Sequence, residues 1–89
     1  MTGAISTVTV GATTTAVLGI DSDRLAAVLS NISDERIDVA IGTAAVAGQG
    51  VGIPATGVLV ITKERGAMLA INAICASGGK ALSVQTVSR

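Results

Sequence analysis

Not one phenylalanine, tyrosine or tryptophan occurs among the 89 residues, although 49% of the chain is apolar. Aromatic rings normally supply the largest buried area per side chain. A core here has to be assembled from Val, Ile, Leu and Ala, and the β-branched members of that set favour strands. A chain of this length makes one domain and buries only about 60–65% of the surface it exposes when unfolded. So much apolar material with so little bulk leaves two readings, a tight aliphatic core with small surface residues or a protomer that finishes its core against neighbours, and the second is the expected one.

Period-two alternation is the main pattern. Ile37, Val39 and Ile41 alternate with Arg36, Asp38 and Ala40, and Leu69, Ile71, Ala73 and Cys75 share one parity. Strands are expected near 5–10, 14–20, 24–32, 36–42, 50–54, 57–62, 68–76 and 80–88. About eight short strands at close spacing predict an all-β fold, a small antiparallel β-sandwich or barrel. Residues 1–12 are expected as an N-terminal arm or edge strand, and 13–89 as a single β-sandwich domain. Gly78-Gly79 suits a two-residue hairpin loop. That register would pair Cys75 with Leu82, Ala73 with Val84 and Ile71 with Thr86. One segment admits a different reading. Asp21-Ser22-Asp23-Arg24 precedes Leu25, Val28, Leu29 and Ile32 at helical spacing, so an α+β fold with one helix at about 22–32 is the alternative.

Six acidic and six basic residues give a formal net charge of zero. No basic stripe exists, so nucleic acid is not an expected partner. Nearly every charge falls at an expected turn or strand end, in the groups Asp21/Asp23/Arg24, Asp34/Glu35/Arg36/Asp38 and Lys63/Glu64/Arg65. The outward strand positions are mostly Ala, Ser, Thr, Gly or Val, which suits packing against another protein surface. Val39 to Thr62 carries no charge, but Gly48, Gly50, Gly52 and Pro54 interrupt any membrane helix there. Membrane contact is therefore not expected.

The chain has no histidine. Serine triads, imidazole bases and most zinc sites are thereby excluded. The lone Cys75, between Ile74 and Ala76, reads as a buried small hydrophobe. Asp21/Asp23 and Asp34/Glu35/Asp38 lack the spacing of a calcium loop and read as solvated turn charges. Gly50-Val51-Gly52-Ile53-Pro54-Ala55 looks like G-x-G-x-x-A, but Pro54 and the following β-branched run replace the helix that motif needs. Asn31-Ile32-Ser33 is a chance sequon. No catalytic, cofactor or metal residue is expected, and no enzyme.

The order of punctuation is distinctive: Arg24 opening a strand that closes on Asn31, then Ser33-Asp34, then a strand ending in Ile41-Gly42. Ala47-Gly48-Gln49-Gly50, a Pro54-to-Gly57 turn, Gly66 and Ser77-Gly78-Gly79 follow. From about Val8 onward this resembles a group of small β-rich virion proteins of tailed bacteriophages. Some are capsid decoration, or cement, proteins and others sit at neck or fibre positions. Such sequences often have aromatics in the strand after Asn, and a tighter Ala-Gly pair where Ala55-Thr56 stands here. The resemblance favours a strand at 24–32. It implies a structural protein that binds the major capsid protein on the outer capsid surface as a homo-oligomer, with a trimer the expected form. A neck or fibre adaptor, or another protein-binding β-module, is the alternative.

Overall fold

A computed structural model describes residues 2–89, so Met1 of the expected arm lies outside the described residues. Eight strands build the fold: β1 (Thr2–Val10), β2 (Thr15–Leu18), β3 (Arg24–Asn31), β4 (Ile37–Ile41), β5 (Val51–Ile53), β6 (Val58–Thr62), β7 (Ile71–Ile74) and β8 (Lys80–Ser88). A single 3₁₀ turn, Lys63–Arg65, follows β6. The strands form two four-stranded sheets with every pairing antiparallel. Sheet A runs β1-β8-β3-β6 and sheet B runs β2-β7-β4-β5. The chain is an all-β sandwich.

Alternation decides which side chains meet between the sheets. Sheet A sends in Val10, Ala27, Leu29, Ile61, Leu82 and Val84, and sheet B sends in Val17, Ile37, Val39, Ile53, Ile71, Ala73 and Cys75. This aliphatic core is assembled from both sheets of the one chain. The accessible surface of 4657 Å² is close to the ~4,700 Å² of an ordinary monomer of this mass. Small interlocking aliphatics fill the space that rings would otherwise take.

The helix alternative at 22–32 is overturned, for those residues form β3. Val28 and Leu29 lie on opposite faces of the strand, and Ile32 lies exposed beyond its end. The helix-start signature serves a turn instead: Asp21 Oδ1 accepts from the Asp23 amide at 2.9 Å and the Arg24 amide donates to the Asp21 carbonyl at 3.2 Å. The expected β7–β8 hairpin is also overturned. Gly78 and Gly79 both take positive φ, 71° and 66°, as such a loop requires. The two strands then part, β7 pairing with β2 and β4, and β8 with β1 and β3. Ala73, Cys75, Leu82 and Val84 are all buried, but they sit in facing sheets and not side by side in one. The expected strand at 68–76 is shorter, because Gly66 to Leu69 turn before β7.

Both ends of β3 carry a buried polar residue that ties loops to the sandwich. At one end Arg24 donates to the carbonyls of Gly19, Ala67 and Leu69. At the other, Asn31 Nδ2 donates to the carbonyls of Glu35, Ile53 and Pro54, and Oδ1 accepts from the amide and hydroxyl of Ser33. Asn31 is 0% exposed, so its sequon is sealed in the folded protein.

Candidate interaction surface

The outward parity of sheet A forms three rows across all four strands. Pair by pair, the register aligns Gly3, Val87, Ala26 and Thr62, then Ile5, Gln85, Val28 and Val60, then Thr7, Ser83, Ser30 and Val58. None of these residues is charged. Ile5 is 75% exposed, Val58 60% and Val60 51%. With strands about 4.8 Å apart and rows about 6.8 Å apart, the platform measures on the order of 400 Å². A solvated strand face normally alternates apolar-in with charged or strongly polar-out. This face carries no charge on any strand and sets Ile5, Val58 and Val60 among Thr7, Ser30, Thr62, Ser83 and Gln85.

Sheet B treats its outer face differently. Asp38 and Ile74 stand opposite each other there, and both are only 8% exposed. The loop after β4 folds back onto Asp38 and Asn72. Asp38 Oδ2 accepts from the Gly48 amide at 2.9 Å, and Asn72 Nδ2 donates to the Thr43 carbonyl at 2.8 Å. The Thr14 hydroxyl accepts from the Ala45 amide, holding the same loop from the other side. Arg36 lies across Gly52, where a Cβ would collide with its guanidinium, and pairs with Asp38 at 2.9 Å. Asp38 is therefore no solvated turn charge, as its sequence neighbours suggested. It is a mid-strand carboxylate that anchors the covering loop. The shallow hollow beneath that loop, lined by Ala40, Thr43, Ala44, Val46, Gln49 and Gly50, presents no ionisable group.

The remaining candidate residues sit at the ends of the sandwich. Asp34 receives the Lys80 ammonium at 2.7 Å, which holds its carboxyl below the ordinary value and raises the Lys80 amine. Glu35 accepts from the Ser77 hydroxyl and amide, at 2.7 and 2.8 Å, and these bonds lower its pKa. These contacts tie the β3–β4 turn to the β7–β8 turn. Cys75 is buried, its thiol 3.2 Å from the Val10 carbonyl. Among the described residues, no three His, Cys, Asp or Glu side chains group as metal ligands. No helix among them is long and apolar enough to cross a membrane.

The sequence indicated that outward positions would be small and uncharged. It did not show that a loop would cover part of one sheet's outer face and none of the other's. That difference depends on where the loop of residues 43–50 folds, and no local pattern encodes it. No protein-family model, curated protein or solved structure matches the chain.

Proposed function

We propose that this chain is a structural protein of a virus particle, a decoration protein that fastens to the outer capsid lattice through the outer face of sheet A. The observation that carries the reading is that face: three uncharged rows, with Ile5, Val58 and Val60 exposed, on a molecule whose other sheet is partly covered by its own loop. The largest patch on a monomer is often functional, and exposed Ile5, Val58 and Val60 on an uncharged face suit a contact surface. The punctuation from Arg24 to Gly79 resembles small virion proteins and supplies the partner, the major capsid protein. The chain acts by binding alone and as a homo-oligomer. One platform makes a modest contact, and several linked platforms on a repeating lattice hold firmly, because later attachments are intramolecular.

Two measurements test this. The first is the number of copies per major capsid protein in purified particles, by quantitative mass spectrometry. Hundreds per particle are expected; a handful would move the chain to a neck or fibre, and none would refute a virion role. The second is binding to empty capsids by the double variant Val58→Lys/Val60→Lys. Both side chains already face solvent, so the fold should persist while capsid binding is lost.

A further inference from the structure

Sheet A has two free edges, and they are not alike. β6 offers five residues and runs into the charged turn Lys63-Glu64-Arg65. β1 offers nine, paired with β8 without a break in register from Thr2 to Val10. Thr2 to Thr7 are exposed whichever way they point, so neither face of that stretch is covered. Alternate amides and carbonyls along β1 point away from β8 and find no strand. Proteins usually guard such an edge with a lysine, a proline, a bulge or a short strand. Thr-Gly-Ala-Ile-Ser-Thr-Val-Thr-Val has none of these. The edges of sheet B are short, β2 with four residues and a register shift and β5 with three.

We infer that the free edge of β1 pairs antiparallel with β1 of a second copy about a twofold axis normal to the sheet. Two observations select a second copy as the occupant. Strand length matches only β1 against itself, nine residues against nine, where β6 would leave part of the edge unpaired. An uncharged strand meets its own copy with no like-charge repulsion. The twofold also keeps both outer faces on the same side, so the two uncharged platforms become one, with Ile5 beside the join. About nine main-chain hydrogen bonds would form. The inference deepens the proposed function by making the linked unit a pair in place of the expected trimer. The pairing itself needs no capsid.

The test uses the full chain in solution. Sedimentation velocity over a concentration series should show a monomer–dimer equilibrium. Hydrogen exchange should slow with concentration at every second amide between Thr2 and Val10, those aimed away from β8, and not at the alternate ones. Ala4→Lys/Ser6→Lys places charge beside the edge on the side away from the platform. It should leave the chain folded and monomeric, with the Val58→Lys/Val60→Lys protein still dimeric. A chain that stays monomeric to about 1 mM, where even a very weak dimer half-forms, overturns the inference. So does a dimer whose β1 amides show no alternate protection. Capsid binding by a chain that stays monomeric would overturn the pairing and the homo-oligomer, and leave capsid attachment through sheet A standing. A dimer that ignores capsids would do the reverse.

Discussion

Replacing Asn31 by alanine should be among the most damaging single changes the fold can suffer. The side chain is 0% exposed and its amide nitrogen serves three carbonyls: Glu35 at 2.7 Å, Ile53 at 2.9 Å and Pro54 at 3.2 Å. Its oxygen takes the Ser33 amide at 3.0 Å and hydroxyl at 2.6 Å. Each such bond contributes about 1 kcal/mol net, and a carbonyl left buried without a donor costs about 1–3 kcal/mol. Ser33 lies near solvent and can recover water, whereas the Ile53 carbonyl cannot. The sum is about 3–5 kcal/mol, against a total stability of roughly 4–13 kcal/mol for a domain of this length. A loss of ~4 kcal/mol lowers the melting temperature by roughly 15–30 °C. Asn31→Asp sharpens the test. A carboxylate would face three carbonyl oxygens, so its protonated form is favoured in the folded state and its pKa is raised above the unfolded value. Stability should then rise as pH falls from 7 towards 5, because the folded chain binds the proton more tightly. Urea unfolding followed by circular dichroism measures both effects. An alanine variant within about 1 kcal/mol of the parent, or an aspartate variant with no such pH response, would show that the amide does not hold these loops.

Thr56 occupies a left-handed position, φ 63°, in the Pro54-to-Gly57 turn, where a β-branched side chain is disfavoured. Thr56→Asn should stabilise the fold by about 1 kcal/mol, read as a higher denaturation midpoint. The pKa of Glu35 is lowered from its ordinary 4.5 by its bonds to Ser77. Its contribution is therefore complete above the unfolded value and is lost as pH falls through the folded one. Melting temperature should decline as pH drops below about 4.5, and Glu35→Gln should flatten that decline.

The strands were legible because most of them alternate cleanly. Ile37, Val39 and Ile41 declare their inward face, and Lys80 to Ser88 matches β8 at both ends. Pairing was less legible. Alternation makes Ala73, Cys75, Leu82 and Val84 inward-facing, but that holds equally for neighbours in one sheet and for opponents in two. The glycine turn fits both. Asp38 misled for a related reason. Three charged neighbours, Asp34, Glu35 and Arg36, suggested a solvated cluster, and only the returning loop makes its position a buried one. Arg24 and Asn31 stood out as punctuation, yet their work is done on carbonyls up to 45 residues distant, which spacing along the chain does not reveal. The platform was half legible: its composition was visible in the outward residues, and its exposure was not.

The strand order has a consequence in time. β4 and β5 are the only partners that follow one another in sequence; every other pairing spans at least one intervening strand. β8, which holds β1 to β3, is synthesised after all the others. Sheet A therefore cannot be completed before β8 has been made, and joining β1 to it waits for a closure spanning nearly all the described residues. Such distant pairings fold slowly, in milliseconds to seconds. Throughout that wait β1 has both edges open, and the conditions under which the chain is made decide whether it first meets its own β8 or another molecule.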